Sequence, residues 1–264
     1  MCMYQCPYNI LICFTNNIYT SSTLYQQCKA NSAISSWALF FVASFIFLLL
    51  FYLSLIAQFS PYQTAASGAI DPTKGFLSLP LNQSNFVIQK PYDIPVDQRY
   101  KFSEGVHKLW VYSNDKPHSP DSKTQPRTEI RIHGYDYSTS VWQFEGYGYV
   151  PYGTSGVCIM QVFGLGPDKG APIVMLKVYN GSLSFYRNQA QLVPYVYDRW
   201  FRLNVIHDVD ASKVQVFIDG VLKYDKPTRV AAVSQYYFKC GVYAQEDHSD
   251  YMESRWKDIK ILKK

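Results

Sequence analysis

Acidic side chains are missing from the first quarter of the chain. Residues 1–66 contain no Asp or Glu, and Lys29 is the only charged residue before Asp71. Within this region, residues 37–57 form an uninterrupted apolar run in which only Ser44 and Ser54 are polar. Such a run is long enough to cross about 30 Å of hydrocarbon as a helix. It predicts that the protein is exported.

The apolar segment has two interpretations, and the sequence leaves both open. It is either the hydrophobic part of a cleaved signal peptide, preceded by an extension over residues 1–36, or an uncleaved signal anchor that ties the protein to a membrane. Ala57 and the Ser- and Ala-containing residues 58–67 resemble a processing site followed by a linker. A buried core helix is disfavoured because the run is not amphipathic and β-type sequence follows it. Residues 68–264 are therefore expected to form the globular domain.

The chain also lacks basic runs, zinc-type cysteine spacing and internal repeats. Its net charge of +5 is too mild and too dispersed for a dedicated nucleic-acid binder, although it allows an acidic ligand. Four of the six cysteines precede the apolar segment, which leaves Cys158 and Cys240 in the globular domain. Both lie on the core-facing parity of predicted strands, so we expect two buried free thiols in preference to a disulfide. We expect no metal site and no cofactor.

The globular domain reads as short strands separated by turn residues. Asn180-Gly181 and Asp219-Gly220 each lie between two β-type runs, which is the signature of a tight hairpin. No segment has a convincing helical period. Many antiparallel strands without alternating helices indicate an all-β fold, a two-sheet antiparallel sandwich of jelly-roll type. The strands are predicted at 75–81, 86–89, 108–112, 127–133, 141–150, 157–163, 174–179, 183–186, 200–207, 214–218, 221–224, 237–245 and 256–262.

Three of these strands carry polar residues on one face over an apolar base. With a side-chain period of two, the strand at 127–133 separates its charged residues from Thr128, Ile130 and Ile132. A solvent-exposed sheet surface would explain any one strand alone. Three strands rich in Arg, Gln and Tyr favour a face that binds a carboxylated ligand. Its predicted members are Arg127, Glu129, Arg131, His133, Gln161, Phe163, Tyr237, Lys239, Tyr243 and Gln245, with Gly241 leaving room between them.

These residues carry a family resemblance. The segment Arg127-Thr128-Glu129-Ile130-Arg131 resembles the Arg-(Ser/Thr)-Glu-(Leu/Val)-Arg motif of the alginate lyase superfamily. Gln161-Val162-Phe163 is similar to its Gln-(Ile/Val)-His motif, and residues 237–245 are similar to its Tyr-Phe-Lys-Ala-Gly-Val-Tyr-Asn-Gln motif. The plant branch known as citrate-binding proteins is closer still, because it shares the opening stretch at residues 70–73 and the Phe at the His position.

The resemblance implies a curved jelly-roll sandwich with a concave ligand-binding face that cleaves polyuronates by β-elimination. That reaction needs a group that neutralises the uronate carboxylate, a base for the C5 proton and an acid for the leaving oxygen. Carried over by motif position, Arg127 and Gln161 would neutralise the carboxylate and Tyr243 would be the acid. Arg131, Lys239 and Gln245 would line the subsites. Phe163 stands where the family has its catalytic His, and a phenyl ring cannot exchange protons.

Two routes around the missing histidine remain open. Tyr243 could serve as both base and acid if Arg127 or Lys239 lowers its pKa from about 10. Alternatively, His133 could act as a relocated base, although a rim residue that only forms hydrogen bonds is the simpler interpretation of a His beside two arginines.

The function expected first is therefore binding of a carboxylated small molecule or an acidic polysaccharide, with a polyuronate lyase as the alternative and a structural wall protein third. No nucleic acid is expected, and membrane contact is expected only through residues 37–57 if they are retained. The sequons at Asn82 and Asn180 predict a glycoprotein of the secretory pathway. Its destination would be the cell wall or other extracellular space, or the vacuole.

Overall fold

The computed structural model describes residues 70–166, 170–186, 190–228 and 235–264. Within these ranges the chain forms two short 3-10 helices, Gln83–Asn85 and Val96–Gln98, and fifteen strands. The strands are β1 (Leu77–Leu79), β2 (Phe86–Gln89), β3 (Tyr100–Ser103), β4 (Val106–Tyr112), β5 (Arg127–Ile132), β6 (Val141–Tyr149), β7 (Val157–Leu165), β8 (Ala171–Tyr179), β9 (Ser182–Phe185), β10 (Ala190–Val193), β11 (Trp200–Asp208), β12 (Lys213–Ile218), β13 (Val221–Pro227), β14 (Gln235–Ala244) and β15 (Tyr251–Lys263).

The described strands build two antiparallel sheets. The first, called the site sheet below, has the order β10-β9-β8-β7-β14-β5-β2. The second sheet has the order β13-β12-β11-β6-β15-β4-β3, and β1 also pairs with β15. This architecture confirms the predicted all-β, two-sheet antiparallel sandwich. No helix of the described residues is long and apolar enough to span a membrane, and the predicted apolar segment at 37–57 lies outside those residues.

The core lies between the two sheets and is filled by large aromatic and branched side chains. Phe144, Phe201, Phe238 and Trp256 are all essentially inaccessible to solvent. Each buried side chain of this size contributes about 1.5–3 kcal/mol to folding. The glycines of the second sheet make room for them, because a Cβ on Gly148 would lie 2.9 Å from the Phe201 ring. Alternation along the strands leaves the other side of each sheet for polar residues.

The predicted hairpins are confirmed. Asn180 and Gly181 both have positive φ angles, 48° and 82°, and so do Asp219 and Gly220, at 52° and 77°. These are the angles of a two-residue hairpin turn, which Asn-Gly and Asp-Gly adopt most readily. The first turn joins β8 to β9 and the second joins β12 to β13.

The structure differs from the predicted strand list mainly at the edges. Thirteen segments were expected, and strands β3 and β10 were not among them. Strand β15 begins at Tyr251, five residues before its predicted start at 256. The added residues pair with β4, from Tyr251 opposite Tyr112 to Trp256 opposite His107. Tertiary pairing therefore extends a strand that local sequence marks only in part.

The opening residues of the described domain are clamped to the second sheet. The carboxylate of Asp71 accepts hydrogen bonds from the backbone N–H of Thr73 at 3.1 Å and from its hydroxyl at 2.7 Å. It also pairs with Arg202 at 3.1 Å, and Arg202 in turn contacts the buried carboxylate of Glu145 at 2.6 Å. The Asp-Pro-Thr stretch at 71–73 therefore has a structural role at the start of the domain.

Candidate functional site

The face predicted from the two-residue period exists on the outer side of the site sheet, and it is called the site face below. Strand β14 runs between β5 and β7, and its register aligns the three motifs. Residues opposite one another in paired strands point to the same side of a sheet. The Cα partners are Arg127 with Tyr243, Glu129 with Gly241, Arg131 with Lys239, Lys239 with Gln161, and Tyr237 with Phe163.

A buried carboxylate lies at the centre of this face. Glu129 is fully buried, and its carboxylate accepts hydrogen bonds from Lys239 Nζ at 2.5 Å, from Arg127 Nη1 at 3.3 Å and from Gln161 Nε2. A buried charge is tolerated only when partners compensate it. With its carboxylate taken up by three donors, Glu129 holds Lys239, Arg127 and Gln161 in position, and the cluster keeps one more positive than negative charge.

Arg127 is held on three sides and keeps one unsatisfied donor. Its guanidinium carbon lies 3.8 Å from the centre of the Tyr243 ring, and its Nη2 donates to Thr124 Oγ1 at 2.9 Å. Its Nε is buried and has no hydrogen-bond partner among the described residues. An unsatisfied buried donor costs free energy, which an anionic ligand or an ordered water would recover. Arg127 is thus held in place, stacked on Tyr243 in the manner typical of arginine, with one donor left without a partner.

Tyr243 keeps its proton. Burial raises the pKa of Tyr243 above its ordinary value of 10.0, and this effect exceeds the opposing influence of the Arg127 charge. The neutral phenol can donate a proton or a hydrogen bond near neutral pH. The condition under which Tyr243 could double as a base, a lowered pKa, is not met.

Arg131 forms a second group with Tyr237 and His133. Arg131 Nη2 pairs with Asp136 at 2.5 Å, and the guanidinium lies 4.1 Å from the centre of the Tyr237 ring. His133 is exposed, and its Nδ1 lies 3.2 Å from Arg131 Nη1. Because Asp136 neutralises Arg131, this group offers less attraction to an anion than the group around Arg127.

Phe163 lies at the edge of the same charged cluster. Its ring centre is 5.4 Å from that of Tyr237 and 5.8 Å from Lys239 Nζ. A Cβ on Gly170 would come within 2.3 Å of this ring, so the neighbouring chain approaches Phe163 closely enough to require glycine. The position where the family has its His is therefore occupied by a packed aromatic ring.

Two other predicted positions have roles that concern the strand itself. Gln245 Nε2 donates to the backbone carbonyls of Tyr243 at 3.1 Å and Ala244 at 2.9 Å, which holds it at the end of β14. Gly241 does not create space on the site face, contrary to expectation. Its φ is +145°, and an added Cβ would lie 2.3 Å from the carbonyl oxygen of Thr128. Glycine is needed there because β5 passes so close.

The structure brings His118 to the site, a residue with no motif to mark it. His118 lies in the connection between β4 and β5, close enough to Arg127, Lys239 and Glu129 for their charges to act on its imidazole. His118 is exposed, but partial burial of its ring lowers its pKa, and the two cations lower it further while Glu129 opposes them. Its connection is tied to the site through the hydrogen bond between Thr124 and Arg127. Only long-range chain folding places this imidazole, so local sequence gave no signal for it.

The two cysteines are free and buried, as expected, but their shared orientation was predicted wrongly. Strand β7 contains a bulge between Cys158 and Met160, so Ile159 and Met160 both face the core. Cys158 is consequently the Cα partner of Tyr243 on β14 and of Lys177 on β8. Its side chain points to the side of the sheet that carries the site face. Burial raises the pKa of its thiol to about 12, so it is an unreactive thiol there.

Both predicted glycosylation sites are exposed. Asn82 caps the first 3-10 helix, where its side-chain oxygen accepts a hydrogen bond from the backbone N–H of Ser84 at 2.9 Å. Asn180 occupies the turn between β8 and β9. Neither position is hindered by the fold.

Comparisons with known proteins show which family the sequence matches. A family model described as alginate lyase matches residues 79–263. A citrate-binding protein from Hevea brasiliensis is 52% identical over 198 residues, which cover 73% of this chain and 79% of the relative.

Solved structures share the architecture at low sequence identity. The alginate lyase PA1167 from Pseudomonas aeruginosa is similar with a TM-score of 0.53 at 15% identity, covering 70% of this chain and 100% of that one. The alginate lyase AlgAT5 of polysaccharide lyase family 7 has a TM-score of 0.51 at 18% identity and covers 70% and 92%. At these identities the likeness concerns the fold.

Proposed function

The chain belongs to the alginate lyase family, and from that premise we propose that it is a binding protein for carboxylate-rich ligands, not a vigorous lyase. The ligand would be a citrate-like small molecule or an acidic polysaccharide. The observation that carries the proposal is the buried Arg127–Glu129–Lys239 cluster next to Phe163. This arrangement keeps cationic donors on the site face while an aromatic ring occupies the position of the family's histidine.

The cluster suits anion binding because its side chains are already ordered when the protein folds. Glu129 holds the two cations in place before any ligand arrives, so little side-chain entropy is lost on binding. The Arg127 Nε donor lacks a partner, and Tyr243 retains a hydroxyl proton to donate. A carboxylate would gain charge-assisted hydrogen bonds, which are stronger than neutral ones. The Hevea brasiliensis relative is named for citrate binding, which supports the same ligand chemistry for this chain.

The first prediction concerns Arg127. In Arg127→Lys the charge remains, but the stacking on Tyr243 and the fixed fork of donors are lost, so citrate or trigalacturonate should bind about tenfold more weakly or worse. The measurement is calorimetric titration of the full-length protein. Arg199→Lys is the matched control, because Arg199 pairs with Asp219 on the surface with 39% of its side chain exposed. Equal affinities for wild type and Arg127→Lys would remove this residue from the binding site.

A second function, β-elimination of a polyuronate, is favoured by one observation, the presence of His118 near the cluster. In that case His118 would take the C5 proton and Tyr243 would give its proton to the leaving oxygen, while Arg127 and Gln161 neutralise the carboxylate. We rank this function second because the imidazole lies on a loop, whereas the family's histidine position is on strand β7 and is filled by Phe163.

We also propose that the protein works in the secretory pathway, at the cell wall, in other extracellular space or in the vacuole. Two features support this destination: the apolar segment at 37–57, as signal peptide or anchor, and the exposed sequons at Asn82 and Asn180. The buried thiols of Cys158 and Cys240 are compatible with an oxidising compartment because neither is accessible to a partner thiol.

A further inference from the structure

The outer side of the second sheet carries a group of aromatic and basic side chains that the site face does not use. We call this group the aromatic surface and define it by six residues, Trp110, Tyr147, Tyr149, Trp200, Arg255 and Lys257. All six are partly exposed. They come from four adjacent strands, β4, β15, β6 and β11.

Strand register and the alternation of side chains along each strand place these residues on the same outer side of the sheet. Arg255 is the Cα partner of Tyr149, and Tyr149 is the partner of Trp200 on the next strand. In the neighbouring row Lys257 is the partner of Tyr147. The residues that alternate with them along the strands point inward, as the buried Trp256 and Phe201 do. The aromatic surface therefore lies on the outer side of the second sheet, facing away from the core. The site face belongs to the other sheet.

Rings and cations alternate across this surface. The ring centres of Tyr149 and Trp200 are 5.4 Å apart. Lys257 Nζ lies 4.6 Å from the Trp200 ring and 5.9 Å from the Tyr147 ring, and the Arg255 guanidinium lies 5.0 Å from the Tyr149 ring. Such contacts fix the cations against ring faces and keep their charge at the surface.

The charge of the surface is only partly neutralised. Glu253 pairs with Arg255 at 2.6 Å and with Lys108 at 3.0 Å, so one carboxylate serves two cations. In the part of the chain that the structure describes, Lys257 has no carboxylate partner within ion-pair distance. The surface thus attracts anions as well as apolar ring faces.

The flat shape of the aromatic surface favours one kind of ligand. A sheet surface is flat and rigid, and its strands are about 4.8 Å apart, which is comparable to the length of one sugar unit in a chain. The C–H face of a pyranose ring packs against an aromatic ring, and carboxylates on the same chain would pair with the cations between the rings.

We propose that the aromatic surface is a second binding site, which holds an extended acidic polysaccharide by stacking sugar rings on Trp200 and the two tyrosines while Lys257 and Arg255 pair with carboxylates. This site is separate from the site face, to which the proposed function assigns a citrate-like small molecule or an acidic polysaccharide. The two sites lie on different sheets, so one acidic chain or two could engage the protein on opposite sides.

The test uses the full-length protein and immobilised sodium polygalacturonate, with affinity measured by biolayer interferometry. Trp200→Ala should weaken binding about tenfold, as removal of a central aromatic contact does, and Lys257→Ala about threefold. Lys223→Ala is the matched control, because it removes an equal charge from the exposed edge strand β13 and should leave the affinity unchanged. Citrate affinity should be the same in all three variants, which also shows that each is folded.

Three results separate this inference from the proposed function. If Trp200→Ala and Lys257→Ala both bind the polymer like wild type while Arg127→Lys does not bind it, the second site does not exist and the proposed function stands. If wild type binds no citrate but loses polymer binding in Trp200→Ala, the second site stands and the proposed function is wrong. If the two variants lose binding only to vesicles of phosphatidylserine and phosphatidylcholine, the surface faces a membrane and the inference is overturned.

Discussion

Glu129 is the residue on which the charged side chains of the site face depend. It is fully buried, and it is the shared partner of Lys239, Arg127 and Gln161. Burial lowers the pKa of Lys239, and the Glu129 charge opposes that effect. A single carboxylate therefore allows two cations to remain charged in a place that excludes water.

The second prediction follows from this dependence. Glu129→Gln keeps the size of the side chain but leaves Lys239 buried without a countercharge, so the free energy of unfolding should fall by about 3 kcal/mol or more. Urea denaturation measures this loss. The double variant Glu129→Gln/Lys239→Met removes both charges and should recover part of it. If the single variant unfolds at the same urea concentration as wild type, the cluster does not depend on Glu129.

At the same scale, the sequence predicted which residues share the site face, but not how the roles of these residues differ. The period of two placed Arg127, Glu129 and Arg131 on one face, and the motif order joined them to residues on β7 and β14. It could not distinguish Glu129, which holds its neighbours, from Arg127, which keeps an unsatisfied donor, because that difference depends on burial. It also could not find His118, whose position depends on how a connection folds over the sheet.

At the scale of elements, β7 and β14 show where a simple alternation fails. The side chains of β14 alternate, so Phe238, Cys240 and Val242 face the core as predicted, although its pairing with β7 shifts register between Cys240 and Tyr243. Strand β7 contains a bulge, which turns Cys158 to the other side. Bulges depend on pairing with neighbouring strands, and the sequence of one strand does not mark them. Strands β3 and β10 were missed for a related reason, since short edge strands form only where a neighbour offers a partner.

The third prediction tests the close approach of β5 to β14. Gly241→Ala would place a Cβ 2.3 Å from the Thr128 carbonyl oxygen, against backbone that cannot move without breaking the strand pairing. We expect a loss of more than about 4 kcal/mol in unfolding free energy, measured by thermal or urea denaturation.

Gly75→Ala is the control for that substitution. Gly75 also has a positive φ, +82°, but nothing lies within 4 Å of its added Cβ, so only backbone strain of about 1 kcal/mol is expected. Similar losses in the two variants would mean that strain, not the approach of β5, explains the glycine at 241.

At the scale of the whole molecule, two buried histidines tie stability to pH. Burial lowers the pKa of both His107 and His207 to about 4. His107 Nδ1 lies 2.9 Å from the Tyr100 hydroxyl, and His207 Nδ1 lies 3.1 Å from the Tyr137 hydroxyl. Each is therefore neutral in the folded protein at pH values where an unfolded histidine, with a pKa near 6.5, already binds a proton.

The fourth prediction gives the sign of this effect. Between pH 6.5 and about 4 the unfolded chain binds more protons than the folded one, so unfolding free energy should fall as pH falls, by on the order of 2 kcal/mol for each histidine. Well above pH 6.5 these groups contribute no slope, because a histidine is then neutral in both states. His207→Gln should reduce the slope. Identical pH dependence in wild type and His207→Gln would contradict the assignment.

The sandwich thus presents two different outer faces, one with a buried ion cluster and one with stacked rings and cations. The first carries the motifs that resemble the family's and is the face to which we assign the proposed function. Whether it has enzymatic capacity depends on whether another group replaces the histidine that Phe163 stands in for. That question decides between a binding protein and a lyase more directly than any affinity.

The most direct measurement is the ultraviolet absorbance of the unsaturated elimination product when full-length protein is incubated with alginate, glucuronan and polygalacturonate. Removal of a general acid or base costs about 10²- to 10⁴-fold in rate, and a protein that only binds these polymers should release no product above the protein-free rate. His118→Gln and Tyr243→Phe should then leave that baseline unchanged. Turnover of any of these polymers by wild type, abolished in Tyr243→Phe or His118→Gln, would contradict the binding-protein account and make this chain a lyase.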